Sequence, residues 1–296
     1  MRRVELLDPR NDFLFKKIFA ADENRDLLIH LLNAVFVDAG QPRVAEGELL
    51  NPAIDPTLLT DKMTMLDLKA RTETGVLIDV EMQLTNEGDM AARTLYYWAK
   101  LFDQQLEPGA LYQALHKTVT INLLNFKYLA SAEAHSTFHL REDRRGDLLT
   151  DWCEIHFVEL PKVRRIGRAE TTSLALERWA LYFTLDTLAQ REVLAVGDPV
   201  MQKGLNVLEF LSQDRQVREQ YEARHKGERD FWSSMAAARD KGREEGREEG
   251  RKEIREEDRQ NLLAAARELL AMGASREQVA RTTHLSIAEL EALERA

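Results

Sequence analysis

Hydrophobic and polar residues alternate along two neighbouring stretches of this chain, Leu66–Ala70 and Ile78–Leu84. Successive side chains of a β-strand point to opposite faces, so this alternation predicts two strands, each with an apolar face toward a core. The apolar face comprises Leu66, Leu68, Ala70, Ile78, Val80, Met82 and Leu84. The opposite face carries Met65 and the polar residues Asp67, Lys69, Asp79, Glu81 and Gln83. The pattern therefore separates the residues that pack from those available for chemistry.

The segment between the strands, Arg71–Gly75, predicts an antiparallel hairpin because polar turn-forming residues lead into a glycine. Such a hairpin brings Asp67 and Glu81 to one rim of the sheet, where two carboxylates are typical of a metal site. A polar face without chemistry is the alternative, since one face of an antiparallel sheet commonly meets water. The order of Asp67, Glu81 and Gln83 along the strands favours chemistry.

Helical periodicity surrounds the hairpin on both sides. The expected helices span Asp12–Phe19, Asn24–Val37, Glu87–Gln105 and several turns from Ser173 to about Tyr221. The expected further strands span Glu48–Asn51, Thr118–Leu124, Thr137–Arg141 and Trp152–Leu160. The helix after the hairpin is expected to pack through Ala92, Leu95, Tyr96, Ala99 and Phe102. This order of elements predicts an α/β (α+β) fold, in which helices flank a mixed sheet.

A charged repeat begins beyond residue 235. Glycine, arginine and paired glutamate recur every four residues from Gly242 to Arg251. Opposite charges at this spacing support a helix, whereas each glycine opposes one by up to about 1 kcal/mol, so we expect a partly helical connector. Glycines on one side of a helix also permit close approach of a second helix, which leaves a homodimer through this region as the alternative.

Past the repeat, two capping boxes predict a small helical bundle, namely Ser275 with Gln278 and Ser286 with Glu289. Its apolar contacts are expected from Val279, Leu285, Ile287, Leu290 and Leu293. The outline is similar to a helix-turn-helix, but exposed glutamates would repel phosphate, which favours protein interaction.

Length and charge set limits on the organisation of the chain. For 296 residues we expect a domain at 1–235, a charged connector at 236–260 and a helical C-terminal module at 261–296. A net charge of −10 argues against a broad basic surface. The single Cys153 gives no disulfide framework, and no apolar run reaches the roughly 20 residues of a membrane helix. The opening Met1-Arg2-Arg3 lacks a secretory signal, so a cytoplasmic location is expected.

The hairpin carboxylates suit a cation that assists phosphodiester hydrolysis. A divalent ion neutralises phosphate charge and lowers the pKa of bound water. Asp67 and Glu81, with the Met82 carbonyl, offer the oxygen ligands that Mg²⁺ prefers, and that Mn²⁺ and Ca²⁺ also accept. Asp79 is a third ligand or an outer hydrogen-bond acceptor. The seven histidines are scattered and Cys153 is alone, so no zinc-type cluster competes.

Basic residues near the hairpin suggest contacts to nucleic acid. Arg93, Tyr97 and Lys100 lie at i, i+4 and i+7 of the helix after the hairpin, so one side carries two cations and an aromatic ring. This side is suited to tracking a DNA backbone, whereas packing of the aromatic residues is the alternative. Lys16 and Lys17 on the first helix are further candidates to contact phosphate, and the alternative is that one of them lies over the Phe13 and Phe15 side chains.

Several motifs together carry a resemblance to a known family. They are the Asp12–Phe19 block with its Phe15-Lys16, the Asp61-Lys62 pair, Asp67, the run Val80-Glu81-Met82-Gln83, and the arginine and aromatic block Arg93–Trp98. With these motifs the sequence resembles the Rpn or YhgA-like proteins, recombination-promoting nucleases also described as transposases, within the PD-(D/E)XK superfamily. The resemblance is densest between residues 8 and 130. It implies a restriction-endonuclease-like core and Mg²⁺-dependent endonucleolytic cleavage of DNA, linked to recombination or mobile DNA.

One position departs from the superfamily motif, because Gln83 stands where lysine is typical. Glutamine can orient a water molecule or donate to phosphate, but it carries no charge. Lys69 follows Asp67 by two residues on the same face and is the candidate for the missing cation, with an ordinary exposed lysine as the alternative. The departure leaves two other functions open: a DNA-binding protein that has lost turnover, and an assembly factor whose charged C-terminal part binds other proteins.

Overall fold

The computed structural model describes residues 5–50, 68–166 and 174–295. The predicted site residue Asp67 and the Asp61-Lys62 pair lie outside these ranges. The chain divides into two compact units, one ending at Glu222 and one beginning at Ala223. The domain boundaries proposed from the sequence, at residues 235 and 260, stay a prediction. Within the described ranges, no helix combines the length and the apolar character needed to cross a membrane.

The first unit alternates helices and strands in the order expected from the sequence. Its strands are β1 (Gly47–Leu49), β2 (Leu68–Thr72), β3 (Leu77–Gln83), β4 (Thr118–Leu124), β5 (His135–Arg141) and β6 (Leu148–Glu159). Its helices are α1 (Asp12–Phe19), α2 (Arg25–Asp38), α3 (Met90–Asp103), α4 (Leu160–Ile166), α5 (Leu174–Thr184), α6 (Leu188–Ala195) and α7 (Pro199–Gln213). Three more follow: α8 (Arg215–Ala271), α9 (Arg276–Thr283) and α10 (Ile287–Arg295).

The described strands form one mixed six-stranded sheet in the order β1-β2-β3-β4-β6-β5. Strands β3, β4 and β6 are parallel neighbours, while β1, β2 and β5 attach by antiparallel pairing. The parallel step from β3 to β4 needs a crossover, which α3 supplies. The expected mixed sheet flanked by helices is therefore confirmed.

One face of the sheet packs against helices through an apolar core. The predicted packing residues of β3, Ile78, Val80 and Met82, are all buried there. Helices α1, α2, α5 and α7 cover this face, and their aromatic rings stack in a tilted cluster that includes Phe15, Phe19, Trp179, Tyr182 and Phe183. Burying each such side chain contributes about 1.5–3 kcal/mol, so this face carries most of the stability.

The other face of the sheet lies under α3, and here the predicted packing side is wrong. Leu95 and Tyr96 are 52% and 57% exposed, and Ala92 and Ala99 are exposed as well. The buried residues of α3 are instead Met90, Thr94, Tyr97 and Leu101. The helix is rotated about its axis relative to the predicted orientation, because the sheet beneath it presents polar side chains from β3 and β4. Hydrogen bonds as well as apolar contacts therefore determine which side of the helix is buried.

The charged repeat is fully helical, which corrects the expected partly helical connector. It lies inside the continuous helix α8, and Gly242, Gly246 and Gly250 are accommodated without any neighbouring side chain. Ion pairs four residues apart, such as Lys241 with Glu245 at 3.7 Å, offset part of the cost of glycine in the helix.

The C-terminal module contains both predicted capping boxes. Ser275 caps α9 with Gln278, and the Ser286 and Glu289 pair forms the same reciprocal hydrogen bonds at the start of α10. Val279, Leu285 and Leu290 are buried together, whereas Ile287, also expected in this core, is 48% exposed.

The hairpin between β2 and β3 forms as expected, and Gly75 closes it in the left-handed region at φ +86°. Its amide donates to the Thr72 carbonyl at 3.0 Å. A Cβ atom at this position would lie 2.7 Å from the His116 ring. Both the backbone angle and the lack of space therefore require glycine.

We expect Gly75→Ala to destabilise the protein by roughly 2 kcal/mol or more, because left-handed strain and the His116 contact add together. Gly88→Ala is the matched control, since Gly88 has the same φ of +86° but no atom within 4 Å of the added Cβ. That control should cost about 1 kcal/mol. Urea unfolding measures both variants, and equal losses would show that the His116 contact contributes nothing.

Candidate active site

The two carboxylates predicted on β3 are buried and not solvent-facing, and Gln83 is partly buried. Asp79 is 0% exposed and Glu81 is 3% exposed, beneath α3. This excludes the alternative of a wet sheet face for these two residues. Ionised carboxylates are costly to bury unless hydrogen bonds and opposite charges compensate them. Their surroundings on β2, β4 and α3 therefore define the site.

Glu81 is held by a neutral donor and a cation. Gln83 Nε2 donates to Glu81 Oε2 at 3.1 Å, and Arg93 Nη2 lies 3.9 Å from the same oxygen. The Arg93 guanidinium also sits 5.4 Å from the centroid of the Tyr97 ring, which is itself buried. The predicted cationic side of α3 thus faces the carboxylates of the sheet.

Asp79 has a cation as its cross-strand neighbour. Antiparallel pairing of β2 with β3 places Lys69 directly opposite Asp79. Burial lowers the pKa of Lys69, the Asp79 charge partly offsets this, and the nearby Lys100 lowers it further. Lys69 Nζ also lies 3.4 Å from Gln104 Oε1. The Lys69 amine is therefore half-buried and surrounded by groups of both charges.

The structure brings most of the predicted site residues to this face. Those assembled here are Lys69, Asp79, Glu81, Gln83, Arg93, Tyr97 and Lys100. Lys16 is separate from them, because it belongs to α1, whose buried residues join the apolar core on the opposite face of the sheet. Asp67 lies outside the described residues.

The central strand β4 contributes three polar residues that the sequence reasoning missed, Thr118, Thr120 and Asn122. Asn122 lies beside Glu81 in the parallel register, accepts from Thr94 Oγ1 at 3.0 Å and donates to the His156 carbonyl at 3.1 Å. These residues alternate with the apolar Val119, Ile121 and Leu123, as the polar residues of β3 do with theirs. The same period of two that identified Glu81 would have found them.

The donor set fits a hard divalent cation in part. Asp79 and Glu81 provide carboxylate oxygens of the type that Mg²⁺ binds. The Thr120 hydroxyl and the Arg93 Nε–H are buried on this face without a hydrogen-bond partner among the described residues. In the same part of the chain, no group of three or more histidine, cysteine, aspartate and glutamate side chains is arranged to hold a metal ion. A cation here therefore needs a ligand from beyond the described ranges or from water.

A second ionisable cluster lies on the opposite face of the sheet. His156 Nε2 lies 2.6 Å from Glu154 Oε1, and its Nδ1 lies 2.9 Å from His135 Nε2. His135 Nδ1 lies 2.8 Å from Asp38 Oδ2, and Lys117 Nζ lies 2.7 Å from Glu154 Oε2. The sequence showed only scattered histidines, but the fold gathers them. Because their ring nitrogens are engaged by one another and by carboxylates, the cluster is a structural network.

Comparison with known proteins agrees with the fold. Residues 9–238 match the model of a protein family described as PD-(D/E)XK nuclease family transposase. This span contains all the described strands and the helix that covers β3 and β4. No curated protein and no solved structure matches the chain.

Acid is expected to destabilise the first unit through the buried network. Contacts with His156 and Lys117 hold the pKa of Glu154 far below its usual range, although burial opposes them, and burial lowers the pKa of His156. Both folded-state pKa values are depressed, so the stability they contribute is present at neutral pH. It should be lost as pH falls, first below about 6.5 for His156 and then below about 4.5 for Glu154.

Urea unfolding between pH 8 and pH 3 measures this dependence. Glu154→Gln should be less stable than the natural protein at pH 7, by on the order of 3 kcal/mol, with the difference narrowing below pH 4.5. Glu107→Gln, at an exposed position, is the control and should follow the natural protein. A difference for Glu154→Gln that stays constant across this range would contradict the assignment.

Proposed function

Because this chain belongs to the PD-(D/E)XK nuclease family transposases, we propose that it is a divalent-metal-dependent DNA endonuclease. Its mixed sheet flanked by helices is the restriction-endonuclease-like α/β fold. Family membership supports a nuclease-type activity on DNA. Beyond this family-level activity, we propose that the protein depends on a divalent metal, that it cuts within the DNA strand, and that the residues named below perform the cut.

The observation that carries the proposal is the buried pair Asp79 and Glu81 on β3, covered by a helix that directs Arg93 toward Glu81. Stability alone does not favour this arrangement, because apolar residues at these positions would avoid the cost of burying charge. Carboxylates beneath a cationic helix do suit a site that binds a metal ion and then a phosphate.

We assign Asp67, Asp79 and Glu81, with the Met82 carbonyl, as the residues that hold the metal. Asp67 immediately precedes β2, whose pairing places Leu68 opposite Val80, so the proposal puts Asp67 at the same rim as Glu81. A bound Mg²⁺, or Mn²⁺ or Ca²⁺ in its place, would neutralise phosphate charge and lower the pKa of a bound water.

The remaining residues position the carboxylates or contact the DNA. Lys69 places an ammonium beside the carboxylates, where it compensates for the absence of lysine at position 83. Gln83 orients Glu81 through its 3.1 Å hydrogen bond. When DNA binds, the Arg93 guanidinium, supported by the ring of Tyr97, moves its contact from Glu81 to the phosphate, and Lys100 contacts the DNA backbone farther away. A DNA contact by Lys16 stays a prediction apart from this site, because α1 packs on the opposite face of the sheet. Recombination or movement of mobile DNA is the proposed setting, in the cytoplasm.

A DNA-binding protein without turnover is the second candidate. It is favoured by Gln83, which donates one hydrogen bond to Glu81 and adds no charge. A role in protein assembly is the third, and it rests on the long charged helix α8, through which the chain would also form a homodimer. Both alternatives predict no metal-stimulated cutting.

Plasmid nicking in Mg²⁺ or Mn²⁺ separates these functions. We expect Glu81→Gln to lower the nicking rate by about 100-fold or more, since a lost metal ligand costs at least as much as a lost outer-shell partner. Glu87→Gln, an exposed glutamate six residues along the chain, is the control and should nick normally. Undiminished nicking by Glu81→Gln, or nicking that survives chelation, would contradict the proposal.

Lys69 is tested in the same assay. Lys69→Ala should reduce the cleavage rate while largely sparing the fold, because the residue is half-buried and lies on β2 beside the site and not in the apolar core. Lys127→Ala removes an exposed lysine outside the site and controls for the loss of one positive charge. Near-normal cleavage by Lys69→Ala would remove this residue from the mechanism, and circular dichroism of both variants monitors folding.

A further inference from the structure

Thr120, in the middle of β4, has a buried hydroxyl that the proposed mechanism does not use. The residue is 1% exposed, and its Oγ1 has no hydrogen-bond partner among the described residues. Its polar neighbours on the same strand differ in this respect. Thr118 Oγ1 accepts from Gln105 Nε2 at 2.9 Å, and Asn122 is bonded on both sides of its amide.

The position of Thr120 is fixed by the parallel pairing of β3 with β4. That register places Thr120 beside Asp79 and Asn122 beside Glu81, on the face beneath α3. The other sides of the same two strands are apolar and belong to the main core. The hydroxyl therefore lies next to the carboxylates and not among the packing residues.

A buried hydroxyl is normally hydrogen-bonded, and valine would fill nearly the same volume without the need for a partner. The Nε–H of Arg93, which contacts Glu81 on the same face, is a second buried donor without a partner in the described ranges. The Arg93 Nε–H needs an acceptor, whereas the Thr120 hydroxyl is satisfied by a donor or by an acceptor. A water molecule on the carboxylate face can fill either role.

We propose that Thr120 is a positioning residue of the nuclease site, whose hydroxyl binds a water of hydration of the divalent cation held by Asp79 and Glu81. This inference rests on the proposed function. It explains how the donor set is completed, because Mg²⁺ sheds its waters reluctantly and is commonly held by one or two carboxylates plus several waters. The outer hydroxyl would then set the orientation of that hydration shell.

Titration of the full chain with Mn²⁺ in the absence of DNA tests the proposal by calorimetry. Thr120→Val should weaken Mn²⁺ binding by about 10-fold, as loss of an outer-shell partner does, and Thr120→Ser should restore it because the hydroxyl is kept. The thermal midpoint of metal-free Thr120→Val should equal or exceed that of the natural protein. If Thr120→Val fails to fold, Thr120→Ala is measured with the same expectation for Mn²⁺.

Two controls make the outcomes distinct. Thr118→Val loses a hydroxyl that has a protein partner, so its thermal midpoint should fall while its Mn²⁺ affinity stays unchanged. Glu81→Ala should abolish Mn²⁺ binding. If the natural protein binds Mn²⁺, Glu81→Ala does not, and Thr120→Val binds normally, the role of Thr120 is overturned and the nuclease proposal stands. If the natural protein binds no Mn²⁺, both are overturned.

Discussion

The burial of two carboxylates beneath α3 is the constraint on which the rest of this structure depends. Charges removed from water cost several kcal/mol each unless nearby groups compensate them. Lys69, Arg93 and Lys100 bring three cations to the same face as Asp79 and Glu81. The two faces of the sheet therefore differ. The apolar face supplies most of the stability, and the polar face holds charged side chains in position for chemistry.

Hydrogen bonds to the polar face also determine the position and orientation of α3. Thr94 bonds to Asn122, and the Trp98 indole donates to the Thr118 carbonyl at 3.0 Å. These bonds join the helix to the central strand β4, beside the carboxylates of β3. A helix fixed by directional bonds holds Arg93 over Glu81 more definitely than apolar contacts would, since apolar packing is non-directional. Placement of the cations thus follows from β4 as much as from α3 itself.

Much of this architecture could be predicted from the sequence, and the failures have physical causes. Period-two alternation correctly gave the packing face of β3, because a side chain's face is determined by its position in the strand. The packing side of α3 was wrong because apolar counting favoured Leu95 and Tyr96, and the sequence did not show that the surface beneath would be polar. The histidine network was missed because His135 and His156 meet only through the pairing of β5 with β6.

The central claim is that the carboxylates of β3 hold a divalent cation on the α3 side of the sheet. A crystal structure of the full chain grown with Mn²⁺, with the ion located by its anomalous scattering, tests this most directly. The account predicts an ion within coordination distance of a Glu81 carboxylate oxygen, with further oxygen ligands from Asp79 or Asp67. An ion bound only elsewhere, or none at a Mn²⁺ concentration that supports DNA cleavage, would contradict it.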